Sequence, residues 1–584
     1  MIASAVAIAL TALIVVLGLM TALTTVRGST ALRGRVPAGD AAASDFLVAS
    51  RGVTPLWNAA AISGEYISAA AFLGSAGLLL AYGADMLWLP IGAVAGYVLL
   101  LAFVTAPLRR SGAYTISDFA EWRLGSLAVR RLVSVCVCVI GWFYLLPQFQ
   151  GAGVTLRVLT GAPPWAGWAL VVAVVAGLVL SGGMRSITVV QAMQYWVKVC
   201  AVAIPAVAVL AVWRLDGGRD PTGDGPPKFP RATVVRVQTD VAVRVPADTD
   251  VTVRGALDGR VHHGRPLRLV KGRHTVAEGT ELRFPAGAWV PHAERLPIQE
   301  DHTWALPFAR GHDHPLFATY SALLGVLLGT MGLPHILMRF YTDTCGRTAR
   351  RTAAMVPVLL ALFYLFPAVY GALGRFYTPE LLVTGDTDAT ILMVPQRLVP
   401  GTAGALLTGL VAAGAFAAFI STSCGIVVAI AGTVSQRVLR GGVAAFRLGT
   451  VFALAVPLGV PLTLAQDVGA IGAARLVTLA LSVSACSLCP LLLLGIWWRG
   501  LTAFGAGAGL LVGGGLAVAA AVTRLFGGPW DGWPAALLTQ PAMAIVPVTF
   551  AVMVGGSLLT RRRVPRRADR ALARLHLPEE IVNR

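Results

Sequence analysis

Residues 56–74 read Leu-Trp-Asn-Ala-Ala-Ala-Ile-Ser-Gly-Glu-Tyr-Ile-Ser-Ala-Ala-Ala-Phe-Leu-Gly, an apolar stretch with a carboxylate near its middle. A charged side chain at the centre of a bilayer costs about 3 kcal/mol or more, so Glu65 is expected to face a cavity or a partner. Gly64 lowers the cost of breaking a helix, and a break frees carbonyls that can point at a cation. The stretch therefore predicts an interrupted membrane helix with a role in transport. The alternative is a glycine kink with a protonated, hydrogen-bonded Glu65.

The whole chain has the composition of a membrane protein. Hydrophobic residues make up 56% of its 584 residues, charged residues make up 13%, and the mean hydropathy is +0.73. Soluble chains average about 25% charged residues. Apolar runs of membrane-spanning length recur along nearly the whole sequence and predict an all-α polytopic bundle of about thirteen transmembrane helices. The predicted spans are roughly 2-26, 55-82, 85-107, 132-158, 164-182, 187-213, 315-340, 353-376, 401-434, 444-465, 469-497, 502-524 and 535-559.

The net charge of +19 comes largely from Arg clusters between the apolar runs and from a basic tail, 561-584. Basic residues gather on the cytoplasmic side of membrane proteins, so this pattern favours a membrane protein over a nucleic-acid-binding one. It predicts a multi-pass protein of the bacterial inner membrane, with the N-terminus outside and the C-terminus in the cytoplasm. The first run, within 1-27, has no basic residue ahead of it and no cleavage pattern, which predicts a retained extra helix.

One long polar segment, 214-314, interrupts the apolar runs. Its period-two alternation, as in Val241-Ala-Val-Arg-Val245, predicts a small β-rich insert outside the membrane. Seven of the nine His residues lie in or beside it, and their irregular spacing favours exposed loop histidines over a zinc or copper site. On either side of the insert the chain divides into a first five-helix repeat, 55-213, a second, 315-497, and two C-terminal helices, 502-560.

Two adjacent hydroxyls form a second candidate element of a site. Ser421 and Thr422 lie in the apolar ninth span, where a single hydroxyl would usually bond to its own backbone. An adjacent pair, in a chain that also has a broken helix, can instead complete an all-oxygen shell for a hard cation such as Na⁺.

The seventh span carries Gly329, Gly332 and Pro334 at its centre, which predicts a second interrupted helix. Each of the two interrupted helices opens a set of five spans. This arrangement matches an inverted-repeat plan in which substrate and ion bind near the midplane of the membrane.

Three further polar residues lie deep in predicted spans. Tyr144 and Gln148 are four residues apart and therefore share one face of the fourth span. Lys198 lies far enough from the predicted end of the sixth span to pair with an acid or line a pore, with snorkelling to the membrane surface as the alternative.

These motifs resemble those of the sodium/solute symporter family, in particular its actinobacterial-type cation/acetate (monocarboxylate) branch. Residues 63–74 are similar to the second-helix motif of that branch, which commonly has Asp where this chain has Glu65. Residues 329–340 are similar to its seventh-helix motif almost residue for residue, and Asp386-Thr-Asp-Ala-Thr390 resembles actinobacterial members. The resemblance covers the predicted spans but not the insert.

The resemblance implies a leucine-transporter-type fold with a 5+5 inverted repeat that works by alternating access. Relatives that move sugars or proline with Na⁺ hold the ion on backbone carbonyls and on two adjacent hydroxyls. Carried over to this chain, the implied Na⁺ ligands are Ala59, Ile62, Ala418, Ser421 and Thr422. The predicted substrate pathway comprises Glu65, Tyr66, Tyr144, Gln148, Gly329, Thr330 and Gly332.

Together these observations predict a secondary active transporter, not an enzyme, that moves a small organic anion of the acetate, propionate or pyruvate class with Na⁺ as coupling ion and no other cofactor. Proton-coupled uptake, with Glu65 as the proton carrier, and Na⁺ symport of another small solute are alternatives. A membrane sensor is a third alternative, because the insert could bind a ligand outside the cell.

Overall fold

The computed structural model describes residues 53–181, 184–218, 225–307, 314–438, 443–463, 472–526 and 532–577, together with three isolated positions. The predicted first span, 2-26, and the end of the basic tail lie outside the described residues. The helices are α1 (Pro55–Tyr66), α2 (Ser75–Tyr82), α3 (Trp88–Phe103), α4 (Thr105–Ser111), α5 (Ile116–Leu124), α6 (Leu127–Thr160), α7 (Pro164–Ser181), α8 (Met184–Leu215), α9 (Asp301–Ala305), α10 (Pro315–Met331), α11 (Pro334–Phe340), α12 (Gly346–Tyr377), α13 (Glu380–Thr384), α14 (Thr390–Leu398), α15 (Gly401–Val438), α16 (Val443–Thr463), α17 (Ala473–Trp497), α18 (Ala503–Gly509), α19 (Gly515–Phe526), α20 (Gly532–Thr539), α21 (Ala542–Leu559) and α22 (Ala568–His576).

The structure is predominantly helical, and its long apolar helices indicate an integral membrane protein. Within the described ranges, eight helices are long and apolar enough to cross a membrane, or nine if the bent pair α10 and α11 forms one span. The predicted count of thirteen is not confirmed, because α1 is short, the apolar parts of α7 and α16 fall below spanning length, and residues 70–103 run as one apolar helical stretch. The 5+5 repeat stays a prediction.

The first predicted break is present, but it lies further along the chain than the sequence indicated. Helix α1 begins at Pro55, whose fixed φ suits the first helical position, and ends at Tyr66. Ile67 and Ser68 are not helical, and a π-helical turn follows over Ala70–Gly74. Gly64 is itself helical and serves packing, since a Cβ there would lie 2.6 Å from the carbonyl oxygen of Gln191 in α8.

The second break separates α10 from α11, which are bent by 41° at Gly332 and Leu333. Pro334 begins α11, because its missing N–H is not needed at the first position of a helix. The two broken elements are held by different neighbours: α8 packs against α1 and α15, whereas α10 packs against α17 and α3.

A seven-stranded sheet lies within the predicted insert. Its antiparallel order is β1-β6-β3-β5-β2-β7, and β4 pairs with β3. The strands are β1 (Thr233–Arg236), β2 (Val241–Val245), β3 (Thr249–Leu257), β4 (Arg260–Leu269), β5 (Gly272–Val276), β6 (Glu281–Phe284) and β7 (His292–Ala293).

The chain that follows the sheet binds directly to the helical bundle. The indole N–H of Trp304, in α9, donates to the carbonyls of Leu79 and Leu80 at 2.9 and 3.0 Å, near the end of α2. Arg375 of α12 pairs with Asp301 at 2.9 Å. The sheet and the bundle therefore share buried hydrogen bonds.

Candidate cation and solute site

The paired hydroxyls of α15 lie against the end of α1. Thr422 donates from its hydroxyl to the carbonyl of Glu65 at 2.7 Å, and Ser421 donates to that of Gly64 at 2.9 Å. Ser421 also lies 3.2 Å from the carbonyl oxygen of Ala418, and both hydroxyl residues are fully buried. The sequence thus identified the two helices that meet at this site.

The carbonyls that reach the hydroxyls differ from the two that the sequence indicated. Ala59 and Ile62 lie in the regular part of α1, where their carbonyls belong to the helical hydrogen-bond ladder. The carbonyls at the hydroxyl pair include those of Gly64 and Ile67. Together with that of Glu65 they lie at the end of α1, further along the chain than Ala59 and Ile62, because α1 continues to Tyr66 before it breaks.

A lysine side chain enters the same cluster of oxygens. Lys198, in α8, donates from its ammonium to the carbonyl of Ile67 at 3.1 Å, to the carbonyl of Gly64, and to the hydroxyl of Ser421. The side chain is fully buried. The oxygens of the predicted Na⁺ site therefore surround the side-chain nitrogen of Lys198 in this structure.

Glu65 belongs to a second buried cluster next to this one. Its carboxylate pairs with Arg339 of α11, with the Nε and Oε2 atoms 2.7 Å apart. Arg339 also donates to Thr188 at 2.7 Å and to the side-chain oxygen of Gln191. Gln191 in turn donates to the carbonyl of Ser421 at 2.6 Å, so one continuous network links α1, α8, α11 and α15.

The two clusters leave one positive charge in excess. At their usual charges near neutral pH, Glu65 is anionic and Arg339 and Lys198 are cationic, and all three side chains are buried. Breaking a buried ion pair by removing one partner usually costs several kcal/mol, so such charges are held by partners or by a ligand. The excess charge makes this part of the bundle electrostatically suited to a monovalent anion.

A cavity of about 50 Å³ opens beside the first break. Ser68 and Tyr66 line it at the break, Tyr144 and Tyr364 contribute aromatic rings, and Thr478 of α17 adds a hydroxyl. About 10–15 Å³ of such space is enough to hold one water, so the cavity has room for a few water-sized groups. It can therefore accept a small solute with both polar and apolar parts.

The predicted substrate-pathway residues divide into three groups. Tyr66 and Tyr144 line the cavity, and Tyr66 shares a 3.0 Å hydrogen bond with Thr330. Gln148 instead stabilises the break after α1, since its side-chain oxygen accepts a hydrogen bond from the amide of Ala69 at 2.9 Å. Glu65 contacts Arg339 rather than the cavity lining.

The two predicted glycines of the second break pack against α17. The carbonyl of Gly329 accepts from Ser484 at 2.8 Å, and a Cβ on Gly332 would lie 2.5 Å from the Ser484 hydroxyl oxygen. The amide of Gly332 donates to the carbonyl of Gly329 at 3.0 Å. That amide is therefore already satisfied and is not free to receive a carboxylate.

Sequence reasoning missed several residues of the site. Arg339 lies within the quoted seventh-helix motif, and a charge inside an apolar helix was the signal that could have identified it. Gln191 and Thr188 are polar residues in an apolar span and gave a weaker signal of the same kind. Ser68 and Tyr364 carried no such signal in the sequence, because their place in the cavity lining depends on how distant segments pack together.

Two histidines of the predicted insert have defined partners, and one of them, His292, is fully buried, which differs from the expected exposed loop histidine. Within the described ranges, no group of three His, Cys, Asp or Glu side chains is placed to hold a metal ion. His274 pairs with Asp258 at 2.7 Å, and His292 is buried beside the carbonyl of Val290 at 3.0 Å. His312 lies outside the described residues.

Comparison with known proteins gives a consistent result. A family model described as "Sodium:solute symporter family" matches residues 46–216 and 309–513. An uncharacterized symporter of Cupriavidus necator is 30% identical, over 89% of this chain and 88% of the relative. A protein of Corynebacterium glutamicum named "Monocarboxylic acid transporter" is 26% identical, over 82% of this chain and 78% of that protein.

Solved structures show the same fold. The chain resembles the substrate-bound outward-open state of a Na⁺-coupled sialic acid symporter with a TM-score of 0.61 and 13% sequence identity. The alignment covers 96% of this chain and 98% of that structure.

Proposed function

This chain belongs to the sodium:solute symporter family, and from that premise we propose that it carries a short monocarboxylate, such as acetate, across a bacterial inner membrane together with a cation. The family membership implies Na⁺ as the coupling ion and alternating access as the mode of transport. The observation that carries the choice of solute is the small cavity beside a buried cluster with one positive charge in excess.

The size of the cavity favours a short solute. About 50 Å³ exceeds the roughly 10–15 Å³ that one water needs, and it leaves room for a solute of a few heavy atoms, such as acetate. Ser68 and Thr478 provide polar contacts, whereas Tyr144 and Tyr364 provide an apolar wall for the hydrocarbon part. A sugar would need a much larger and more polar cavity.

The charge of the site favours an anion. A bound carboxylate lowers the net positive charge of the buried cluster by one, with or without Na⁺, whereas a neutral solute would leave that costly charge unchanged. The relative from Corynebacterium glutamicum, named as a monocarboxylic acid transporter, supports the same class of solute.

The coupling ion is proposed to act between α1 and α15. Its ligands would be the hydroxyls of Ser421 and Thr422, the carbonyl of Ala418, and carbonyls at the end of α1. A cation there would tie the two helices together, and a cycle with one Na⁺ and one carboxylate would move no net charge. The sodium gradient, rather than the membrane potential, would then drive uptake.

Proton coupling through Glu65 is the second candidate. Its support is that Glu65 is a buried carboxylate next to the break. A proton on Glu65 would leave Arg339 buried without its ionic partner, at a cost of about 3–5 kcal/mol, and this observation favours Na⁺.

The orientation is part of the same proposal. With the N-terminus outside, the seven-stranded sheet lies on the outer face and α22 on the cytoplasmic face. The domain limits predicted from the sequence, including the two five-helix repeats, complete the proposal.

Uptake by the purified protein in lipid vesicles tests the function. Labelled acetate, propionate and pyruvate would be offered with a Na⁺ gradient and a pH gradient imposed separately. We expect accumulation of at least one acid that requires the Na⁺ gradient and is unaffected by membrane potential. Uptake of proline or a sugar in place of these acids would contradict the proposed solute. Accumulation driven by the pH gradient alone, beyond the passive accumulation of the weak acid in protein-free vesicles, would contradict Na⁺ coupling.

A further inference from the structure

Lys198 is an unusual residue in this chain. Of the 47 Lys and Arg residues only three are Lys, and the other two, Lys228 and Lys271, belong to the polar segment around the sheet. A chain that uses Arg almost everywhere therefore has Lys at the one position where a side chain enters the oxygen cluster of α1 and α15.

The chemistry of an ammonium group suits that position. An ammonium is a compact point charge with three donors, whereas a guanidinium is a wide planar fork. Lys198 makes three contacts, to the carbonyls of Gly64 and Ile67 and to the hydroxyl of Ser421. These are the kinds of oxygen that would bind a hard monovalent cation, so the ammonium takes the place of such an ion.

We propose that Lys198 is a tethered competitor of the coupling cation. Its ammonium occupies the site between α1 and α15 in the absence of the ion, and Na⁺ binds only when the ammonium withdraws. The inference rests on the proposed Na⁺-coupled symport and specifies how the same site is regulated. Because part of the binding energy is used to displace Lys198, the chain sets a threshold Na⁺ concentration for its own cycle.

The neighbouring carboxylate offers the displaced ammonium a partner. Within the described residues, Oε1 of Glu65 is buried and has no hydrogen-bond partner. The Glu65 carboxylate is near enough to interact electrostatically with Lys198. It also lies against Gly425 of α15, where any larger residue would collide with it. An ammonium that left the carbonyls would therefore exchange neutral oxygens for an anionic one.

The competition can be tested by Na⁺ binding alone, without a transport assay. The full chain would be purified in detergent, and its melting temperature would be measured as Na⁺ replaces N-methylglucamine at constant ionic strength and pH, because a bound ion raises the melting temperature. The variant is Lys198→Met, which keeps the length of the side chain and removes the charge. Lys198→Arg is the matched control that keeps the charge.

We expect Lys198→Met to lower the half-saturating Na⁺ concentration by about tenfold or more, which corresponds to a site that the ammonium fills at least about 90% of the time. Lys198→Arg should not lower it. Adding Ser421→Ala and Thr422→Ala to Lys198→Met should remove the gain, which would place the ion at these hydroxyls.

An unchanged or higher Na⁺ requirement in Lys198→Met would overturn the proposal, as would the absence of any Na⁺ response in that variant. If Lys198→Met does not fold without Na⁺, Lys198→Gln serves as the second variant, and recovery of folding by Na⁺ in either one supports replacement of the ammonium. Failure to fold at every Na⁺ concentration contradicts it. Because no solute is present, these results are separate from whether acetate is the transported acid.

Discussion

The two breaks in the helical bundle are similar in form and different in chemistry. At the first, after α1, three charged side chains meet: Glu65, Lys198 and Arg339. At the second, between α10 and α11, the contacts are neutral, and the main one is the hydrogen bond from Ser484 to the carbonyl of Gly329. Arg339 follows the second break in sequence but places its charge at the first.

The difference shows that a broken helix does not by itself make an ion site. Both breaks expose backbone groups, but only the first has an adjacent pair of hydroxyls and buried charges around it. The two breaks are joined by the hydrogen bond between Tyr66 and Thr330, at the edge of the cavity. We infer a division of work in which the hydroxyls and carbonyls at the first break respond to the cation, whereas the hydrogen bond between Tyr66 and Thr330 at the edge of the cavity responds to the solute.

The largest loss of stability is expected from removing the charge of Arg339, which α11 places beside Glu65 at the first break. Arg339→Met leaves Glu65 buried without its partner and should destabilise the protein by about 3–5 kcal/mol. Thermal unfolding of the purified protein would measure the loss. Glu65→Gln combined with Arg339→Met should recover much of it, and a single variant as stable as the original protein would contradict the buried ion pair.

The second-largest effect is expected from removing the two hydroxyls of the proposed cation site, and it should be confined to the first break. Ser421→Ala with Thr422→Ala removes two buried hydrogen bonds to carbonyls of α1, for a loss of about 2–3 kcal/mol. Cation-dependent uptake should be abolished in vesicles. Ser423→Ala is the matched control, since its hydroxyl has no hydrogen-bond partner in the part of the chain that the structure describes. Undiminished cation-dependent uptake in the double variant would refute the assignment of the cation to these hydroxyls.

A smaller change tests the link between the two breaks. Tyr66→Phe removes the hydroxyl that bonds Thr330, worth about 1 kcal/mol, and should raise the KM for acetate about fivefold with little change in the Na⁺ requirement. Tyr97→Phe is the control, because its ring lies 5.2 Å from that of Tyr66 and its hydroxyl has no partner among the described residues. A change in the Na⁺ requirement with an unaltered KM would reverse the proposed division of work.

The smallest effect is expected from titrating the His274–Asp258 ion pair of the sheet, and it should not alter either helix break. Burial lowers the pKa of His274, but its hydrogen bonds to Asp258 and to the carbonyl of Val270 outweigh this and raise the pKa above its usual value. For Asp258, burial raises the pKa, and hydrogen bonds from His274 and Thr275 lower it more.

The ion pair therefore stabilises the sheet at pH values between the lowered pKa of Asp258 and the raised pKa of His274. The contribution of His274 is lost as the pH rises through its raised pKa, and that of Asp258 is lost as the pH falls through its lowered pKa. Since the pair is partly exposed, we expect less than about 1 kcal/mol. Hydrogen exchange of β5 should quicken slightly on raising the pH, after correction for the intrinsic rate, with His274→Gln as the insensitive control. Faster exchange in α1 or α15 would show that the sheet and the first break are coupled.

The sequence predicted which two helices meet at the first break better than it predicted where the first of them breaks. Ser421 and Thr422 stand out as adjacent hydroxyls in an apolar run, and such a pattern is visible without a structure. The end of α1 is not visible in this way, because it depends on Gln148 binding the amide of Ala69 and on α8 packing against Gly64. Partners distant in sequence decide where the helix stops.

The contacts of the buried charged side chains could not be predicted from local sequence either. The sequence leaves Lys198 either to pair with an acid or line a pore or to snorkel to the membrane surface, and nothing local to it shows that it reaches carbonyls in α1, more than a hundred residues away. The cavity lining is likewise drawn from several helices, so its small volume could not be read from any one of them.

The indole of Trp304 has a consequence for how this protein could change through evolution. It supplies hydrogen bonds to two carbonyls near the end of α2, the helix that continues from the first break. A deletion that removed the sheet and α9 together would leave those carbonyls without that donor. Since the carbonyl of Leu79 also accepts from the amide of Gly83, loss of the insert would chiefly affect the carbonyl of Leu80, and we expect substitutions near the end of α2 to accompany such a loss.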